Sequence, residues 1–268
     1  MLNTILDSAP NFLLCFARCI AMLLTLPLFS MRTVSRKAKI ALSGYMAFLL
    51  FPQVDFSAYA LYLSDNQAFS IEFILLILGE ALIGILIGFF VSIIFAAFST
   101  AGQFFAFQMG FSAASAYDAL SQVENPLMGQ YLNLIAMLVF MQNQWFQKLF
   151  ITGLQGSLES FNVFTLIEQR EAVVTFLLKG LSNLFLDAFI ISLPIMGTLL
   201  LITVTTGLLS KAAPQMNLLS EGFPIMILLA FFLLTAMLPT MCNFFVSSFR
   251  TGFNDLEVFF KSFATGVK

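Results

Sequence analysis

Histidine is absent from all 268 residues, and charge is scarce: 12 Lys and Arg with 14 Asp and Glu make up only 10% of the chain. Without imidazole there is no histidine acid or base, no Ser-His-Asp triad and no histidine-ligated metal. So few charges cannot coat a soluble globular surface, where about 25% of residues are usually charged. The formal net charge of −2 leaves no basic footprint for nucleic acid. Cysteine is limited to Cys15, Cys19 and Cys242, all within apolar runs. With no further Cys or His to complete a shell, they are expected to be small buried apolar residues, and no metal or other cofactor is expected. GxSxG and P-loop motifs are missing. Tyr117-Asp118 has no GxGD to supply the second carboxylate of an intramembrane aspartyl protease. The chain is not expected to be an enzyme.

What is present is hydrocarbon. Apolar residues reach 60% of the chain, 34 of them Phe, and the mean hydropathy is +0.96. Charge-free stretches cover 19–31, 40–54, 81–117, 125–147, 188–210 and 222–249. Since about 20 mainly apolar residues span a bilayer, these runs predict helices near 10–31, 38–63, 69–100, 127–151, 172–209 and 223–250. The expected fold class is therefore all-α: a polytopic membrane-type protein of about six long helices. Pro27, Pro194 and Pro239 are expected to kink three of them. After Gly252, Phe253, Leu256, Phe259 and Phe260 alternate with Asp255, Glu257 and Lys261, as in an interfacial or partner-docked amphipathic helix. Arg32, Arg36, Lys37 and Lys39 place the first loop in the cytoplasm. Six crossings then leave both termini outside. The start of the chain, with Asp7 and no Lys or Arg, does not read as a cleavable signal peptide.

Arg18, Glu80, Lys179 and Asp187 stand among the apolar residues. A charge at the bilayer centre costs about 2.5–3.5 kcal/mol on insertion scales, so each is expected to be buried against protein and paired. Interhelical pairing is favoured over a proton relay because the charges are scattered. Gly84 and Gly88 form a GxxxG, the spacing at which helix backbones approach closely. From Ser99 to Asp118 the chain mixes small residues, amides and Phe without a 3.6-residue stripe. That is the composition of a re-entrant or pore-lining loop, or of a short surface helix joining two spans.

Ala101-Gly102 followed by Gln108-Met109-Gly110-Phe111-Ser112 resembles the A-G-x-x-x-x-x-Q-M-G-x-S stretch of the FliR family of flagellar type III export proteins, which are homologous to the SctT-type subunits of virulence injectisomes. Leu208-Leu209, with Ala213-Pro214-Gln215-Met216-Asn217, is similar to that family's L-L-x-x-x-A-P-Q-x-N loop, and Gly222-Phe223-Pro224 follows at the matching place. The resemblance implies a subunit of the flagellar export gate, assembled with FliP-type and FliQ-type subunits and an FlhB-type partner in the bacterial inner membrane at the basal body. There it forms part of a closed pore for unfolded exported proteins. It implies a FliP-like part over 1–165 and a FliQ-like hairpin with an amphipathic tail over 166–268. It also implies a pore plug over 107–125, carried by Phe107, Gln108, Met109, Gly110, Phe111, Ser112, Tyr117 and Asp118. A partner-facing tip would carry Lys211, Pro214, Gln215, Asn217 and Glu221. Many family members have Asp-Pro where this chain has Asp118-Ala119, a departure at the plug's turn. An SctT-type injectisome subunit is the nearest alternative. A secondary transporter or a membrane scaffold is an alternative of a different kind.

Overall fold

The computed structural model describes residues 9–30, 34–62, 70–109, 127–212 and 222–264. Six principal helices stand out among the described residues: α1 (Ala9–Thr25), α2 (Arg36–Leu50), α3 (Ile71–Gln108), α4 (Leu127–Gln142), α5 (Arg170–Ala212) and α6 (Phe223–Ala264). Among the described residues there is no strand. The all-α membrane-type class read from the hydropathy is the class observed. By length and composition, α3, Arg170–Leu209 of α5 and Pro224–Phe263 of α6 can each cross a membrane.

Local chemistry sets the boundaries. The expected first helix divides at Leu26: α1 stops at Thr25, and a short helix, Pro27–Ser30, restarts with Pro27 in its first position, where the missing N–H does no harm. Ser35 caps α2 by accepting the Ala38 N–H at 3.2 Å. The expected helix to residue 63 stops at Leu50, where the chain passes into a 3₁₀ turn, Phe51–Gln53, around Pro52, which has no N–H to continue the helical ladder. Ser70 Oγ accepts the Phe73 N–H at 3.2 Å at the start of α3. Helix α4 ends nine residues short of the expected 151, at a turn where Gln144 takes a left-handed conformation, φ 55°. Short helices Trp145–Lys148 and Gly156–Ser160 follow, joined by a π-wound stretch, Leu149–Gln155.

Two expectations are corrected. Ser99 to Gln108 is not irregular: α3 runs unbroken to Gln108, since nothing in that stretch removes a backbone donor and Gly102 is accommodated at a helix crossing. The tail after Gly252 is not a separate element either. It is the last part of α6, with Phe253, Leu256 and Phe260 at 1–5% exposure. Pro194 and Pro239 both lie inside continuous helices.

The chain divides into two compact units, each discontinuous in sequence, and α3, α5 and α6 contribute to both. The first comprises Met1–Ile93, Gln144–Gly180 and Arg250–Lys268. In it α1 packs on α2, with Phe12 edge-on to Phe51, and on the first half of α3. The end of α6 closes over Phe161, whose ring meets those of Phe259, Phe260 and Phe263 at 5.0–6.0 Å. The second unit comprises Ile94–Asn143 and Leu181–Phe249. Its core is aromatic: Phe95, Phe98, Phe140, Phe245 and Phe249 are nearly inaccessible, with Phe98 and Phe245 centroids 4.1 Å apart. There α3 crosses α4 at two glycines. A Cβ on Gly102 would stand 2.5 Å from the Met128 carbonyl and 2.7 Å from the Gly129 Cα. The boundary at residue 165, drawn from ancestry, falls inside the first unit.

Candidate functional site

The first unit is organised around the buried guanidinium of Arg18. Arg18, 1% exposed, meets Glu80 in a two-pronged pair, Nε to Oε2 at 2.6 Å and Nη2 to Oε1 at 3.0 Å. Its remaining donors reach Ser157 Oγ at 3.0 Å and the Phe161 carbonyl at 2.9 Å. Tyr59 donates to Glu80 Oε1 at 2.6 Å and accepts the Val163 N–H at 3.0 Å. Burial, then the Glu80 charge and hydrogen bond, raise the Tyr59 phenol above its ordinary pKa, so it stays a donor. A guanidinium fork matched to a carboxylate, with its other N–H groups satisfied, is the arrangement that makes a buried pair tolerable.

Glu80 begins a stripe on α3. Gly84, Gly88 and Ser92 follow at four-residue spacing and all face α1. A Cβ at Gly84 would collide with the Arg18 carbonyl, and one at Gly88 with Thr25 Oγ1 and the Met22 carbonyl. Ser92 donates to the Thr25 carbonyl at 2.7 Å. The helix pair is thus pinned by an ion pair at one end and a hydroxyl at the other, with glycine between them so that the backbones can touch. The close approach of α1 and α3 falls at Gly84 and Gly88.

The other two charges behave differently. Lys179 is corrected from buried to exposed. Its side chain is 62% accessible, and Nζ lies 3.6 Å from Asp255 on α6, a loose pair that leaves the ammonium hydrated. Asp187 is half-buried and accepts from Ser248 on α6 at 2.5 Å.

At the root of the expected plug, Met109 is fully buried and donates its N–H to the Phe105 carbonyl at 2.9 Å, whereas Phe107 is 73% exposed and Gln108 half-exposed. Gly110, Phe111, Ser112, Tyr117 and Asp118 lie outside the described residues. At the expected tip, Lys211 is exposed in the last turn of α5, where a cation suits the helix dipole. Pro214, Gln215, Asn217 and Glu221 lie outside the described residues. Among the described residues no three His, Cys, Asp or Glu side chains gather as a metal site.

Two surfaces stand out beside these polar clusters. On α3 an exposed face includes Ile71, Leu75, Leu78 and Leu82, and on α5 one extends from Val174 to Leu209. Bare hydrocarbon on this scale calls for lipid or protein.

The family model for bacterial export proteins, family 1, matches residues 9–252. The chain belongs to the FliR family of bacterial export proteins. Flagellar biosynthetic protein FliR of Bacillus subtilis is 31% identical over 235 residues, 87% of this chain and 88% of that protein. FliR of Escherichia coli is 28% identical over 242 residues, 88% of this chain and 87% of that protein. The surface presentation of antigens protein SpaR of Shigella sonnei is 32% identical over 163 residues, 59% of this chain and 60% of that protein. Within this FliR-family chain, Tyr59 and Ser157 gave no sign in the sequence of their place around Arg18. Ser92 was legible in principle, one helical step beyond Gly88 in the same stripe.

Proposed function

We propose that the chain is the FliR-type subunit of a flagellar type III protein export gate. It assembles with FliP-type and FliQ-type subunits and an FlhB-type partner in the bacterial inner membrane at the basal body, and forms part of the pore through which unfolded proteins leave. Residues 1–165 act as its FliP-like part and 166–268 as its FliQ-like hairpin and tail. Residues 107–125 act as the pore plug, and Lys211 to Glu221 as the tip that meets the FlhB-type partner.

The observation that carries an assembled gate over a lone membrane protein is the length of bare hydrocarbon on α5. Exposed apolar side chains run from Val174 to Leu209. Beyond the hydrated Lys179, the 29 residues from Leu181 to Leu209 rise about 44 Å, against a hydrocarbon layer of about 30 Å. Even a tilt of about 40° brings only about 40 Å of helix within lipid. The remainder needs protein neighbours, as a subunit built into a larger complex has.

The SctT-type alternative rests on SpaR, whose similarity spans 59% of this chain, against 87% for FliR of Bacillus subtilis. That difference in coverage favours the flagellar assignment. Deleting the gene and measuring flagellin-type proteins in the culture medium tests the reading. Loss of export, restored by the wild-type gene, is the expected result. Undiminished export with flagella intact overturns it.

A further inference from the structure

Gly197 lies on the exposed side of α5, and a Cβ there would meet no atom within 4 Å. Glycine is a poor helix residue, and at this position nothing inside the chain requires one. At 3.6 residues per turn, Gly197 shares its face with Ile190, Leu193, Leu201 and Val204, all 44–66% exposed. The surface is a stripe of hydrocarbon with a notch at its centre.

Asp187 stands at the edge of the same stripe, ten residues earlier on α5. It is half-buried, with exposed Ile190 one turn further along the same face, and accepts one hydrogen bond, from Ser248 to Oδ2. Among the described residues no lysine or arginine nitrogen lies within 4.0 Å of it. A carboxylate placed this way, amid hydrocarbon and without a cation, is half of a pair.

We infer that this face of α5 receives an apolar helix of a neighbouring membrane subunit, whose backbone crosses closely at Gly197 and which brings a Lys or Arg to Asp187. The inference rests on the reading that the chain is built into a multi-subunit gate. Lipid tails fill a notch as readily as they cover a ridge, and they bring no cation to Asp187. A packed helix uses both features, a close crossing and a charge partner. With ten residues rising about 15 Å, the partner helix is specified: its basic residue lies about 15 Å along its axis from the crossing point.

The test is to produce tagged chain together with the other gate subunits, extract the membranes in mild detergent and measure the membrane subunits recovered per tagged chain. Gly197→Ala separates docking from folding, because alanine favours the helix and meets nothing within the chain. We expect Gly197→Ala to lower recovery several-fold, Gly197→Leu to lower it at least tenfold, and Asp187→Lys to abolish it with chain levels in the membrane unchanged. An acidic substitution of the partner's basic residue should restore assembly to Asp187→Lys. Wild-type recovery with both Gly197→Leu and Asp187→Lys, or loss with Asp187→Lys that no acidic substitution of a partner Lys or Arg reverses, overturns the inference. Failure of the wild-type chain to recover any gate subunit overturns the functional reading instead.

Discussion

Arg18 and Glu80, 62 positions apart in the chain, grip each other through two hydrogen bonds with both side chains 1% exposed. A pair this deeply buried depends on both members. Replacing either Arg18 or Glu80 by Met leaves the other charge stranded, and such losses cost about 3–5 kcal/mol. The double replacement removes both charges and should cost much less than the two singles together. Thermal unfolding in detergent of the four proteins, as a double-mutant cycle, gives the coupling. Additive losses would show that the pair does not act as a unit.

The glycine stripe predicts opposite outcomes for one kind of substitution. At Gly84 and Gly88 an added methyl meets backbone carbonyls of Arg18 and Met22, which cannot move without separating α1 from α3. Gly84→Ala should therefore destabilise by about 1–3 kcal/mol, the usual cost of overpacking, and Gly88→Leu by more. At Gly197 nothing is in the way, and alanine should stabilise the isolated chain by up to about 1 kcal/mol. Melting temperatures of the purified chain distinguish the cases.

Tyr59 makes its own test. Phenylalanine at this position removes one hydrogen bond from Glu80, which keeps both of those from Arg18, and leaves the buried Val163 N–H without an acceptor, a loss that costs about 1–3 kcal/mol. The wild-type phenol also adds a pH dependence. Its pKa is raised in the folded chain above the ordinary 10.0, so its stabilising contribution is complete below pH 10 and declines as pH rises past that value. Unfolding followed from pH 8 to 11 should show a decline in the wild type that Tyr59→Phe lacks.

The positions of the apolar runs were legible because a bilayer or a hydrophobic core leaves the same mark, long stretches without charge. Helix ends were less legible. Pro52 stopped α2 well before the charge at Asp55, while α3 ran on to Gln108 through residues whose amides and small side chains resemble a loop. Which charges are buried was half legible. Arg18, Glu80 and Lys179 look alike in a hydropathy profile, yet only the first two turn inward. A single sequence records each residue's chemistry and not its partner 62 positions away. The stripe from Glu80 to Ser92 shows the same limit: its period is visible, but not the helix it faces.

At the root of the proposed plug, Phe107 and Met109 do different things. Met109 is fully buried and Phe107 is 73% exposed, although both belong to the stretch expected to fill the pore. Met109→Ala empties a packed site and should cost about 2–5 kcal/mol of stability, with assembly reduced in proportion. Phe107→Ala removes little packing within the chain and should shift the melting temperature far less than Met109→Ala. If residues 107–125 close the pore, Phe107 presents its bulk where water must be excluded, and its loss should make the assembled complex leak small ions. Export itself should persist, because a plug has to move aside for substrate in any case. Deleting residues 110–118 should deepen the leak. Single-channel current or ion-sensitive growth, measured once pull-down shows the complex intact, reads both effects. An intact complex that carries this deletion and stays as tight as wild type would remove the plug role from this segment and leave it only a packing role between subunits.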